Sequence, residues 1–381
     1  MQAMQTLLNE QTSPGLWALA WRRLRADRLA MVSMAVVGAF LLMLLLSASG
    51  LIVSDWEDEV GVNYAPPTFV GPDGGLAFGA DGKQRPARAA AAAKQATPVN
   101  VFDPLADDIR LLRAQLGEGG ADIDMYGIAD PLAADLAALR AAGGKGKHQH
   151  AGTARLETLP FGADKWGHDV VKKTIKGGET SIVVGLVSAL VAVVLGTVFG
   201  AFSGYFGGVV DDFFNWFYSI FTSIPSILMI LTVAAVLQQK GVTTIVLILG
   251  LTGWTGPYRQ IRAEYIKHKA REYVMAADAI GASHWRKMFS HIFPNVSHVA
   301  LVQMSILVVG FIKAEVILSF LGFGVPVGVV SWGSMLNEAQ NELILGKWWQ
   351  LTAAALAMAV LVTAFSLFTD ALRDALDPKV K

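Results

Sequence analysis

No cysteine occurs in the 381 residues. Disulfides, thiol nucleophiles and cysteine-ligated metals are therefore excluded, while the compartment stays open. Charge is scarce as well: Asp, Glu, Lys and Arg make up 16% of the chain, where a soluble domain carries about a quarter to keep its surface wetted. The 31 basic residues balance the 31 acidic ones, so the charge suggests no nucleic-acid surface and no nucleic-acid partner is expected. Also missing are a Gly-x-x-x-x-Gly-Lys-Ser/Thr phosphate loop and any compact acid–base or nucleophile constellation. The expectation is a non-catalytic chain that binds no cofactor or metal and does not hydrolyse ATP by itself.

What is abundant is apolar sequence, at 53% of residues, and it is gathered into blocks. Leu29–Val53, Thr180–Val210, Phe213–Gln239, Gly241–Tyr258 and Trp348–Thr369 contain no Asp, Glu, Lys or Arg. About 20 such residues at ~1.5 Å each cross a hydrocarbon core of ~30 Å. A sixth block, about 297–318, includes His298, Lys313 and Glu315. Backbone amides in lipid must pair within their own segment, which selects helices. The fold expected is an all-α polytopic membrane protein with six transmembrane helices, membrane lipid being one of its partners. The first block exceeds the ~7–15 residues of a signal-peptide core, so it reads as an uncleaved anchor.

Arg22, Arg23, Arg25 and Arg28 precede the first block. The positive-inside bias places that end in the cytoplasm, and six crossings return the C-terminus, with Arg373, Lys379 and Lys381, to the same side. The domains read as 1–53, the N-terminus and first span; 54–178, an external loop; 179–370, a five-helix core containing a cytoplasmic segment at 259–291; and 371–381, a cytoplasmic tail. Lys165, Lys172, Lys173 and Lys176 fall outside in this topology, against the bias. Within the loop, Ala87–Ala93 and the glycine-rich stretches at 71–82 and 143–147 read as weakly ordered. Ile109–Leu116 reads as a short helical patch, and His148 and His150 as solvated residues without further ligands.

Inside the core, Gly196, Gly200 and Gly204 recur every fourth residue, a spacing that lets two helices approach closely. Pro225 removes a backbone donor and should bend the third span, shaping a pathway or accommodating a neighbour. Lys313 and Glu315 are two residues apart and point in different directions. They are expected to serve structure at the outer end of the fifth span, with direct influence on substrate as the second reading.

The segment 271–289 reads as two short helices around Gly281. Tyr273, Ala276, Ala277 and Ile280 share one face of the first helix. Ser283 is placed to cap the second, whose apolar face is Trp285, Met288, Phe289 and Ile292, with Pro294 opening the fifth span. Such a hairpin either rests at the lipid interface or docks into a cytoplasmic partner, and periodicity leaves both open.

This segment resembles the signature cytoplasmic loop of ABC importer permeases: Glu-Ala-Ala, a glycine four residues on, then Ile-x-Leu-Pro. Ala276, Ala277, Gly281, Ile292 and Pro294 match, while Met275 stands where Glu is usual and Phe293 where Leu is usual. Glu272, one turn earlier, could take over part of the missing carboxylate's role. Further blocks are similar to the C-type subunit of the peptide, dipeptide and nickel branch. They are Phe161–Val170, Ser203–Asp211, Leu318–Gly324, Ser331–Leu336 and Leu372–Pro378, with His168 in place of the usual Arg. The resemblance implies half of a translocation pore in a bacterial inner membrane. The implied partners are a related B-type permease, two ABC ATPase subunits carrying ATP and Mg, and an external substrate-binding protein. Coupling to the ATPases would run through Glu272, Met275, Ala276, Ala277, Gly281 and Trp285. Di- or oligopeptides are the implied cargo; nickel or another small solute is the alternative, and an ion-coupled secondary transporter or a receptor is a more distant one.

Overall fold

The computed structural model describes residues 16–71, 76–78, 84–86, 155–239, 241–326 and 328–376. Ala87–Ala93, Ile109–Leu116, His148 and His150 lie outside the described residues. Two compact units separate at 77–155. Besides helices, the described residues include a sheet of two three-residue strands, β1 (Leu76–Phe78) and β2 (Gln84–Pro86), an addition to the all-α expectation.

The first unit is helical. Helix α1 (Leu16–Ala26) stops where Asp27 turns extended and caps α2 (Arg28–Ala48), its carboxylate accepting from Leu29 N at 2.8 Å. Helix α3 (Val170–Phe206) begins well ahead of the expected loop edge at 178. The cause is Asp169, whose carboxylate takes the otherwise unpaired amides of Val171 and Lys172 and so starts the helix. Helices α4 (Gly208–Thr222) and α5 (Ser226–Leu237) are bent by 82° about a break containing Pro225. Then follow α6 (Val242–Thr252), α7 (Thr255–Lys269), α8 (Glu272–Ala279), a π-helical stretch at Arg286–Ile292, α9 (Phe293–Phe320), α10 (Trp332–Ile344) and α11 (Trp349–Leu376).

Among the described residues four helices are long and apolar enough to cross a membrane, or five if the bent α4–α5 pair is one span. Six continuous spans are not found among the described residues. The block Gly241–Tyr258 is divided, because α6 ends after 11 residues at Gly253. There a Cβ would lie 2.3 Å from the Phe311 ring, so the backbone turns against α9 at that point. Pro294, expected to open the fifth span, stands in the first turn of α9, and the π-helical stretch ahead of it joins the same rod from Arg286 to Phe320. The wider π turn before it tolerates the missing amide, and Asn295 Nδ2 donates to His291 O at 2.8 Å.

Helix α3 is the axis of the unit, packing against α2, α6, α7, α9, α10 and α11. Its closest neighbour is α7. A Cβ on Gly196, Gly200 or Gly204 would fall 2.6, 2.8 and 2.6 Å from the carbonyl oxygens of Trp254, Tyr258 and Arg262 respectively. Both helices thus step by four residues along a shared seam to which α3 contributes no side chain. Ile245, Leu249, Val308, Ile312, Val184 and Ala189 fill the core on one side of this pair. Tyr205, Ile261, Tyr265, Met288 and Ile292 fill it at the other end. Helix α1 lies on the end of α11, where Ala20 and Leu24 meet Leu372, Ala375 and Leu376. A side chain on the seam must push the rods apart: Gly200→Leu is expected to destabilise by ~1–3 kcal/mol or more. This would be read as a lowered melting temperature of the purified protein, with Gly310→Leu, where a Cβ meets nothing within 4 Å, as the tolerated control.

Candidate functional site

Helix α7 runs directly into α8, so the hairpin sits on the end of the α3–α7 pair. Arg271 is extended before α8, and Gly281 ends the turn at φ +78°, a left-handed conformation that favours glycine. Ser283 Oγ accepts from Arg286 N at 3.4 Å. The second half of the hairpin is the start of the α9 rod rather than a separate helix. Four contacts fasten the assembly. Tyr205 of α3 meets His284 Nδ1 at 2.9 Å, Tyr265 of α7 donates to Met288 O at 3.1 Å, His268 Nδ1 meets the Tyr273 hydroxyl at 2.9 Å, and Lys287 pairs with Asp278. Trp285 packs edge-on to Phe202 and stacks on Phe289.

This mounting decides which face of α8 is available. Val274 and Ala277 are each 4% exposed and turn inward, so the face expected from Tyr273, Ala276, Ala277 and Ile280 is split. Ala277 packs against its own chain and Tyr273 bonds to α7. Glu272, Met275, Ala276 and Gly281 are exposed, as are Ile280 at 83% and Trp285 at 63%. The outward apolar surface is therefore Met275, Ala276, Ile280 and Trp285, with Glu272 at its edge.

Where α3 gives way to α4, sequence reasoning saw only a matching motif. Asp211 there accepts two bonds from Arg262 of α7, Nε to Oδ1 and Nη2 to Oδ2, both at 2.6 Å. Ser203 also donates to Asp211, and the Tyr258 hydroxyl links Ser203 at 3.0 Å to Asn215 at 3.3 Å. A paired fork of this kind fixes orientation as well as distance, so α4 is held to α7 about two turns before that helix ends at the hairpin.

At the opposite end of α3 lies a second polar centre. Asp164 is fully buried and accepts from Trp166 N, His168 N, His168 Nδ1 and Lys173 Nζ at 2.8, 3.0, 2.9 and 2.7 Å. Burial opposes its charge, but the His168 and Lys173 contacts more than offset this and hold the carboxyl well below the usual range. Lys173 Nζ also reaches Glu338 Oε2 at 2.6 Å and Gln350 Oε1 at 3.4 Å. One ammonium thus ties the 155–169 segment, α3, α10 and α11. Trp349 Nε1 adds a bond to Ala163 O at 2.7 Å, and its ring fills the space where a Cβ on Gly162, at φ +84°, would stand. The lysines that sit awkwardly with the loop-charge bias are all engaged. Lys172 meets Asp55 at 2.6 Å, Lys176 meets Glu179 at 2.9 Å and Lys165 lies 3.9 Å from Glu338. Their number close to one span was the available signal; Glu179 and Asp164 lie near them in the chain, whereas Asp55, Glu338 and Gln350 lie far off in sequence and gave none.

Glu315 is fully buried on α9, accepting from Ser181 of α3 at 2.6 Å and Ser319 at 2.7 Å. Ser181 Oγ in turn accepts from Trp332 N at 3.2 Å, so Glu315 links α3, α9 and α10. Lys313 points away and is exposed, as is Pro225 in the α4–α5 break. Among the described residues no group of three or more His, Cys, Asp or Glu is arranged to hold a metal ion.

Glu342, one turn beyond Glu338 on α10, is 2% exposed, and neither of its carboxylate oxygens meets a hydrogen-bond partner. Burial raises its pKa to about 7 against the attraction of Lys173. A folded-state pKa raised in this way favours folding below the unfolded value near 4.5, and that advantage is lost as pH rises through about 7. Glu342→Gln is therefore expected to melt progressively higher than the wild type as pH is raised from 5 to 8, by ~1–3 kcal/mol at the upper end. Parallel melting curves across that range would refute it.

Two family models match the chain. Residues 196–381 match the binding-protein-dependent transport system inner membrane component, and residues 15–67 match the N-terminal TM domain of oligopeptide transport permease C. The dipeptide transport system permease protein DppC of Bacillus subtilis is 35% identical over 221 residues, 58% of this chain and 69% of that protein. The oligopeptide transport system permease protein OppC of the same organism is 35% identical over 221 residues, covering 58% and 72%. OppC of Salmonella typhimurium is 37% identical over 219 residues, again 58% and 72%. A crystal structure of an amino acid ABC transporter with histidines, at 16% identity and a TM-score of 0.39 over 52% of this chain and 91% of that one, is too slight a likeness to carry an argument.

Proposed function

Since this chain belongs to the inner-membrane components of binding-protein-dependent transport systems, as a C-type permease of the peptide ABC importers, we propose that it forms half of a pore importing di- or oligopeptides. A related B-type permease supplies the other half, two cytoplasmic ABC ATPases carry ATP and Mg, and an external binding protein delivers the cargo. The permeases that resemble this chain are named for dipeptides and oligopeptides, which favours peptides over nickel or another small solute. In this reading 259–291 faces the cytoplasm together with both termini, and 54–178 lies outside.

The observation that carries the reading is the outward surface of the hairpin. Met275, Ala276, Ile280 and Trp285 form an exposed apolar knob on a base pinned to α3, α7 and α9. A knob on a rigid base transmits a push from an ATPase groove into the helices, which a mobile loop would absorb. Met275 adds an apolar contact where the usual Glu would bring a charge, and Glu272 remains exposed at the edge to supply one. Glu315 and the Lys173 centre serve to hold the far end of α3 in place.

Ile280→Asp puts a charge on the knob without touching the chain's own packing. It is expected to lower ATPase co-purified with the complex by at least ~10-fold, since an unpaired charge in an apolar contact costs several kcal/mol, and to abolish ATP-driven uptake. Unchanged ATPase occupancy would sink the docking assignment. Ala277→Asp is expected to act differently, lowering the melting temperature of the permease itself because its site is internal.

A further inference from the structure

A cavity of about 860 Å³ opens between α7, α9 and α11 beside the hairpin. Among the described residues its wall bears the cations Lys267, Arg271 and Arg373, the imidazoles His268 and His298, and one carboxylate, Glu264. Glu264 is engaged by Lys267 at 3.0 Å and lies 3.5 Å from His268. No ion pair joins Arg271 or Arg373 to another described residue. Burial lowers the pKa of His268, Glu264 opposes this, and Lys267, Arg271 and His298 lower it further. Gln260 and Gln303 bring two side-chain amides into the same wall. Hydrocarbon would leave such amides without partners, so they suit contact with water or a polar ligand.

The second observation is the course of α9 beyond the cavity. Val299, Val302 and Ile306 line it, and the same face continues through Gly310, Lys313 and Ile317, all exposed, at intervals of three and four residues. Lys313 stands seven residues past Ile306, roughly 10 Å along the axis. Like the two arginines it has no ion partner among the described residues. A lysine in a membrane helix faces a partner or a watery passage because its charge is costly in lipid. One face of α9 therefore carries an ammonium and, further along, opens into a hollow with guanidinium groups, none of them ion-paired among the described residues.

Resting on the peptide-import reading, we propose that this face of α9 lines the passage and that Lys313 and then the cationic cavity receive the free C-terminal carboxylate of the transported peptide. Charge complementarity selects that end of the cargo: a carboxylate is attracted at both positions, whereas the N-terminal ammonium is repelled at both. Two stations a few turns apart, each weak enough to release its ligand, suit passage better than one tight site.

The test uses the complete complex with its ATPases, partner permease and binding protein in proteoliposomes, measuring ATP-driven uptake of one peptide and of its C-terminal amide. The preference of the binding protein is common to all permease variants, so it cancels when their free-acid-to-amide uptake ratios are compared. Lys313→Met combined with Arg373→Gln is expected to lower that ratio about tenfold, and Lys313→Arg with Arg373→Lys to keep it. A ratio unchanged by the charge-removing pair overturns the proposal. In the unaltered complex, a peptide with a photoreactive group beside its C-terminus should label the segment 299–313; labelling elsewhere overturns it as well. So does a phospholipid bound in the cavity, detected by native mass spectrometry and lost with Arg373→Gln. Absence of uptake of either peptide by the unaltered complex would instead overturn the peptide-import reading on which the proposal rests.

Discussion

The structure depends on the seam between α3 and α7. Three glycines four residues apart let the backbones touch, with carbonyls of Trp254, Tyr258 and Arg262 where β-carbons would otherwise stand. Close approach in a membrane gains dispersion contacts and excludes lipid from the joint, since lipid offers little hydrophobic drive for helices to associate. The position of the hairpin follows from it. Helix α7 continues into α8, and Tyr205 and Tyr265, one from each rod, hold the hairpin's far side at His284 and Met288.

Polar groups are placed where they lock this frame. At one end the bidentate Asp211–Arg262 pair closes α4 onto α7. At the other, Lys173 joins Asp164, Glu338 and Gln350 and so ties four segments through one ammonium. Between them Glu315 links α3 to α9 and α10 through Ser181 and Ser319. Buried charges of this sort add little net stability once desolvation is counted, yet removal of one partner is costly. Their effect is to fix relative positions, which a helix pair that must carry a displacement between its ends requires. Glu342 is the exception, a buried carboxylate lacking a hydrogen-bond partner at the edge of the same cluster.

Several features were legible in the residues. The glycine spacing announced a close helix contact, Pro225 a bend, and the Ser283 and Gly281 pair the turn of a hairpin. Other features were not. The split of Gly241–Tyr258 follows from Phe311 pressing on Gly253, a residue nearly sixty positions away. Lys173 read as a charge on the wrong side of the membrane because its partners, Asp164, Glu338 and Gln350, come from three other segments. Ala277 read as part of a docking face, since periodicity groups residues by direction around a helix and is silent on which direction a neighbour will cover.

From the sequence alone came the membrane class, the approximate places of the apolar segments and the resemblance of the segment at 271–289 to a coupling loop. These depend on composition and on residues adjacent in the chain. The tertiary structure alone decided that Val274 and Ala277 turn inward while Met275, Ile280 and Trp285 turn out. It also decided that Glu315 is enclosed while Lys313 is open. In both cases burial is set by how α3, α7 and α9 pack, and that packing brings together groups far apart in sequence, as in the bond from Ser181 to Glu315 across 134 residues.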